Sequence, residues 1–152
     1  MKNKLVVIFI VVVLLIAGLV FYCADGENTM KCYVLCKPVD GVYVYEEPND
    51  SSEILYSLKC KDSFTIDGQI ENGYVHIVNG GWVYCGYIVL QEPKQVMENY
   101  YCTRKRVAVR EHLSGKVINW LDKRTMVTVF YTADGWACTP IGYIQLKYLK
   151  AE

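Results

Sequence analysis

The sequence predicts an all-β fold, two small β-barrels in tandem behind one apolar N-terminal helix. Three observations carry that expectation. The chain beyond residue 30 contains one short plan twice. Each copy alternates apolar and polar residues at period two between turn dipeptides. Only residues 5–22 form a long uncharged run.

That run, LVVIFIVVVLLIAGLVFY, holds 18 residues, at the lower limit of the roughly 17–25 needed to cross a bilayer as a helix. It exceeds the roughly 7–15-residue apolar core of a cleaved signal peptide. Tyr22 and Cys23 stand before Ala24, where cleavage wants small residues, and bulky Phe21 and Tyr22 argue against lipid attachment at Cys23. Lys2 and Lys4 precede the run while Asp25 and Glu27 follow it, so the positive-inside rule puts the C-terminal part outside the cell. Residues 1–24 therefore read as a signal-anchor or transmembrane helix, with a cleaved secretory signal as the alternative. The expected location is the cell membrane, single-pass with the C-terminal part extracytoplasmic, or secreted if the signal is cleaved.

The two copies follow in order. Val42-Tyr43-Val44-Tyr45-Glu46 matches Val107-Ala108-Val109-Arg110-Glu111 at an offset of 65. Leu58 and Leu121 each precede a polar turn, and Phe64 and Ile66 match Val127 and Val129 as alternating strand positions. Asn72-Gly73-Tyr74 matches Asp134-Gly135-Trp136, tight turns followed by an aromatic that starts a strand. Gly81-Trp82-Val83 and Gly142-Tyr143-Ile144 start the next strand at an offset of 61. The offset shrinks because the second copy has shorter loops. Five or six short strands in about 60 residues favour a small barrel over a sandwich. The expected division is 31–92 for the first barrel, 93–100 for a polar linker and 101–152 for the second barrel.

This order of elements resembles bacterial SH3 (Src-homology-3-like) domains. Copy one carries it on Val42, Val44, Pro48, Leu58, Tyr74, Gly81-Trp82-Val83 and Tyr87-Ile88. Copy two carries it on Val107, Val109, Arg110, Leu121, Gly135-Trp136, Gly142-Tyr143-Ile144 and Tyr148-Leu149. Tyr45 and Glu47 depart from the family's usual Arg and Gly, and copy two lacks the loop proline. The resemblance implies two SH3-like barrels and a role in gripping peptidoglycan or another wall polymer. It also implies that catalysis, where the family has it, resides in a separate domain.

The net charge of zero hides an asymmetry. Residues 31–93 hold four Lys against nine acids, net −5; residues 94–152 hold ten basic residues against five acids, net +5. An acidic first half and an exterior location exclude nucleic acid as the expected partner. Six cysteines follow the apolar run: Cys32, Cys36, Cys60, Cys85, Cys102 and Cys138. An exported small protein suggests disulfides; free thiols acting as small apolar residues are the other reading, and both stand. No metal or cofactor site is expected, since Cys32 and Cys36 lack a second Cys or His cluster.

Candidate ligand-binding residues fall in two sets. Tyr43 and Tyr45 alternate with Val42 and Val44; with the valines inward, the tyrosines face out, where flat amphipathic rings suit sugars and peptides. Trp82 and Tyr84 join them. Arg104, Arg106 and Arg110 share one face if the run TRKRVAVRE is a strand, giving a clamp for carboxylate or phosphate. Trp136 stands beside them, while a charged, soluble edge is the alternative. His76 and His112 occupy unrelated positions in the two copies, so no Cys–His nucleophile recurs and no enzyme is expected. The expected function is a non-catalytic, membrane-tethered protein binding peptidoglycan or an anionic wall polymer. An extracytoplasmic protein-interaction or sensory module is the alternative.

Overall fold

A computed structural model describes residues 29–152. The expected N-terminal helix, residues 1–24, lies outside them. The described chain is all-β: fourteen strands in two seven-stranded sheets, with one short 3-10 turn in each. The first unit comprises β1 (Met30–Val34), β2 (Val42–Tyr45), β3 (Ile54–Leu58), β4 (Ser63–Glu71), β5 (Tyr74–Ile77), β6 (Trp82–Tyr84) and β7 (Ile88–Val89). The second comprises β8 (Lys94–Cys102), β9 (Val107–Arg110), β10 (Val117–Leu121), β11 (Met126–Ala133), β12 (Trp136–Thr139), β13 (Gly142–Gln145) and β14 (Leu149–Ala151).

The sheet orders are β3-β2-β6-β5-β4-β1-β7 and β10-β9-β13-β12-β11-β8-β14. Each is the other's order shifted by seven strands, so the repeat read in the sequence is a repeat in space. Turn chemistry sets it locally. Asn72 and Asp134 take φ of 50° and 47°, and Gly73 and Gly135 take 83° and 77°, the left-handed pairs that tight hairpin turns require. Gly81 and Gly142 bring the next strand against its neighbour. A Cβ there would lie 2.1 Å from the Tyr45 carbonyl oxygen and 2.5 Å from that of Arg110, closer than any side chain can approach.

Alternation then fills the cores. Val42, Val44, Ile66, Val75, Ile77 and Val83 bury one side of the first sheet; Val107, Val109, Val127, Val129, Ala137 and Ile144 do so in the second. Each fully buried Val or Ile contributes about 1.5–3 kcal/mol by leaving water. Tyr43, between Val42 and Val44, stays 51% exposed, as the alternation predicts.

One boundary is corrected. Residues 93–100, read as a linker, contribute most of β8, which pairs with β11 from Tyr101↔Met126 to Lys94↔Thr132 and with β14 at Cys102↔Leu149. Its sequence KQVMENYYC shows little alternation because its neighbours leave much of it exposed. The ladder with β11 holds it as a strand.

A third apolar cluster joins the units. Leu35 and Val89 of the first meet Leu113, Ala133, Cys138 and Tyr143 of the second, flanked by Tyr33, Cys60, Tyr87, Tyr131 and Trp136. The Tyr143 hydroxyl donates to the Leu35 carbonyl at 3.0 Å. The Asp134 carboxylate accepts from the Leu90 and Gln91 amides at 2.6 and 3.2 Å, and the Leu113 amide donates to the Gly86 carbonyl at 2.9 Å.

Candidate functional site

The outer face of β2, β6 and β5 is aromatic because three short strands each place their alternate residues there. Register sets Tyr45 opposite Trp82, Tyr74 opposite Tyr84 and His76 opposite Trp82. The rings meet edge to face in a continuous row. Centroid separations are 6.4 Å for Tyr43–Tyr45, 5.9 Å for Tyr45–Tyr74, 5.4 Å for Tyr74–Tyr84 and 6.2 Å for Tyr84–Tyr87, within the range where such pairs attract. Tyr87 leads on to Tyr143 of the second unit at 6.1 Å.

Beside this row runs a groove of about 420 Å³ lined by Tyr43, Tyr45, Asp50, Tyr74, Tyr84 and Tyr87. A second hollow of about 340 Å³ shares Gly41, Val42, Tyr43 and Tyr87 with it and continues to Cys36 and Asp40. Burial pushes the phenols of Tyr74, Tyr84 and Tyr87 above their ordinary pKa, and the nearby carboxylates of Asp50, Glu111 and Asp40 add to it. The phenols therefore stay protonated. The groove presents flat apolar faces, hydroxyl donors and the carboxylate of Asp50, suited to a ligand that stacks and carries donor or cationic groups.

The sequence-predicted residues divide. Tyr43, Tyr45 and Tyr84 line the groove. Trp82 lies on the same face but beyond it, packed on the His76 ring at 5.1 Å. His76 Nδ1 donates to Asp67 at 2.7 Å. Burial alone would raise Asp67, but this bond and those from Gln69 hold it below the usual carboxylate range.

The arginines do not share a strand face. Only Arg110 belongs to β9; Arg104 and Arg106 sit in the bend before it, where Arg106 takes φ of 56° and breaks the alternation. Arg104 stacks on the Tyr148 ring at 3.7 Å, Arg106 lies over Trp120 at 5.0 Å, and Arg110 donates to the Gly115 carbonyl at 2.6 Å. Trp136 packs against the cluster between the units.

Sequence reading missed Tyr74, Tyr87 and Asp50 as groove residues. It also missed His112, which reaches from the second unit to place Nε2 3.3 Å from the Tyr84 hydroxyl and its ring 5.9 Å from that of Tyr87. His112 fits because Gly86 faces it: a Cβ there would stand 2.5 Å from Nδ1. Burial lowers its pKa, and buried Nδ1 has no hydrogen-bond partner. Cross-strand pairing in β5 marks Tyr74 in hindsight; the approach of His112 has no local signal.

No family model matches the chain, and no curated protein does. Among solved structures, it is similar to NlpC1 from Trichomonas vaginalis, with 16% identity and a TM-score of 0.36 over 89% of this chain and 51% of that one. NlpC2 from the same organism gives 16% and 0.36, over 84% and 50%. The endolysin LysPBC5 CBD gives 14% and 0.34, over 85% of this chain and 98% of that one. The chain thus spans about half the length of the two NlpC structures.

Proposed function

We propose that this chain is a non-catalytic binding protein, tethered to the membrane by residues 1–24 and facing outward. Its two units are SH3-like barrels, and it recognises peptidoglycan or another cell-wall polymer. The observation that carries the reading is the tyrosine groove. Four of its tyrosines are pre-arranged by strand register and edge-to-face packing, so binding orders few side chains. Stacked rings with protonated hydroxyls suit a polymer of sugars and peptides. Asp50, in the lining of the groove, favours free amino groups over phosphate. Peptidoglycan itself is therefore preferred to its anionic attachments. A binding role also fits the histidines, since His76 is engaged by Asp67 and Trp82 and His112 by Tyr84.

The test is co-sedimentation of the full-length chain with purified sacculi, with and without attached anionic polymers, at low and high salt. Binding that survives both treatments and falls at least about tenfold in Tyr45→Ala supports the groove, since aromatic stacking resists screening. Binding lost on polymer removal, or lost in high salt with Arg110→Ala rather than Tyr45→Ala as the defective variant, would move recognition to the arginines. No binding in any condition would overturn the wall reading.

One observation favours a protein partner instead. The sheet-edge strands β3 and β10 expose Ile54, Leu55, Tyr56, Ile118 and Trp120. Such edges take up a further strand. Crosslinking of the chain to one membrane protein, without sacculus binding, would select that reading.

A further inference from the structure

Three turns meet at one end of the second unit. The bend at residues 103–106 precedes β9, the turn at residues 122–125 joins β10 to β11, and the 3-10 turn Leu146–Tyr148 precedes β14. Backbone bonds tie them together. The Cys102 amide donates to the Thr125 carbonyl at 2.9 Å, the Arg124 amide to the Cys102 carbonyl at 2.8 Å, and the Thr103 amide to the Tyr148 carbonyl at 3.0 Å. The turns thereby gather Arg104, Lys105, Arg106, Lys123, Arg124 and Lys147, all exposed, against a single carboxylate, Asp122.

Among the described residues, none of these cations forms an ion pair. Aromatic rings hold three of them instead. Arg104 lies on the Tyr148 ring at 3.7 Å, Lys147 reaches the same ring at 5.0 Å, and Arg106 lies over Trp120 at 5.0 Å. A guanidinium laid on an aromatic face is positioned yet keeps its N–H edge for an anion.

The fold does not require this charge. The same three bonds recur in the first unit, from the Val34 amide to Asp62 at 3.0 Å, from the Lys61 amide to Val34 at 2.9 Å and from the Leu35 amide to Tyr87 at 2.8 Å. There Lys37 is paired with Asp40 at 3.7 Å and Lys61 with Glu92 at 3.9 Å. That end of the first unit also seats the second, through Leu35. Its counterpart is exposed, and its cations are unpaired.

Position matters as well as charge. The ladder between β8 and β11 runs from Lys94↔Thr132, beside the contact between the units, to Tyr101↔Met126, beside the basic turns. In the first unit β1 runs from Met30 towards that contact, which the chain reaches at Leu35. The described chain therefore begins at one end of the pair, and the basic turns stand at the other.

We propose that this end of the second unit is a second binding site, for a polymer of phosphate or phosphodiester groups. Cations on three separate turns are more than one small anion can engage, so the fitting ligand carries charge at intervals. Each phosphate offers a guanidinium two oxygens at once. Anionic lipid headgroups share that chemistry, but a chain tethered through residues 1–24 holds this end away from the bilayer. The choice of a polymer over headgroups rests on the tethering proposed above. The tyrosine groove then reads peptidoglycan, and the basic end reads a phosphate-bearing chain attached to it.

The test is fluorescence anisotropy of labelled long-chain inorganic polyphosphate with the full-length chain in neutral micelles, across a range of salt. The logarithm of the affinity should fall by roughly 0.7 per tenfold rise in salt for each phosphate neutralised. Lys105→Gln with Lys123→Gln removes two exposed charges that have no ion-pair partner among the described residues. It should weaken binding at least about tenfold at low salt and reduce that slope by about 1.4, while Tyr45→Ala binds polyphosphate as the wild type does. No salt-sensitive binding, an unchanged affinity in the double variant, or loss in Tyr45→Ala would overturn the proposal. So would indifference to polyphosphate while phosphatidylglycerol in the micelles protects residues 103–106 and 122–125 from amide exchange, which assigns this end to headgroups. Polyphosphate binding without sacculus binding keeps this site and removes the wall reading; sacculus binding without polyphosphate binding does the reverse.

Discussion

In the first unit, the face carrying Tyr45, Tyr74, Trp82 and Tyr84 is partly open to solvent; in the second, register puts Arg110, Trp136, Tyr143 and Gln145 at the matching positions. There Tyr143 is 3% exposed, Cys138 replaces the half-buried His76, and Trp136 packs against the cluster that these two form with Leu35 and Val89 of the first unit. Strand β6 is buried on one side and β13 on nearly both. The same sheet face occurs twice, one copy seated against its sibling and the other partly open to solvent. The difference lies in a few side chains: a small thiol where the open copy has an imidazole, and a hydroxyl that finds a backbone carbonyl.

The largest way to break this comparison is Tyr143→Ala. It removes a buried ring and the bond to the Leu35 carbonyl, and should cost about 3–5 kcal/mol in urea unfolding. Trp82→Ala, at the matching but half-exposed position, should cost under about 2 kcal/mol. Equal costs would mean the two faces are not differently used. Next comes Asp134→Asn, which keeps a residue that tolerates the left-handed turn but leaves one acceptor for two amides. An expected loss of about 1–3 kcal/mol would show as a second, earlier transition reported by the contacts between the units.

The smallest effect is in pH. The neutral form of His112 is favoured in the folded state by burial, so its folded pKa lies below the ordinary 6.5. The unfolded chain then binds more protons in that window, so stability is full above 6.5 and is lost as pH falls through the folded value. Urea midpoints between pH 8 and pH 5 should decline in wild type more than in His112→Gln. Parallel curves would remove His112 from the contact.

Much of the fold was legible because it rests on local chemistry. The Asn72-Gly73 and Asp134-Gly135 turns, the Val42/Val44 and Val107/Val109 alternation, and the glycines before Trp82 and Tyr143 each dictate a backbone state without distant help. Strand β8 was not legible, since β11 and β14 impose it on a polar sequence. The tyrosine row was half legible: Tyr43 and Tyr45 follow from alternation, but Tyr74, Tyr87 and Asp50 join them only when β2, β5 and β6 align. The arginine face failed at one residue, because an alternation argument presumes extended backbone and Arg106 leaves it. The contact between the units was hidden, since Cys138 for His76 and Tyr143 for Trp82 read as ordinary drift between repeats.

The seating of one unit on the other is head-to-tail: a face of the second meets the Leu35 and Val89–Gln91 region of the first. Contacts of this kind do not close on themselves, and a pair of like surfaces left free would let molecules string together into filaments. Here the free face is unlike the seated one. Asn72 stands where Asp134 grips two amides, and His76 fills the space that Cys138 leaves open. The face carrying Tyr45 and Tyr84 thus lacks the contacts with which its counterpart seats on the first unit.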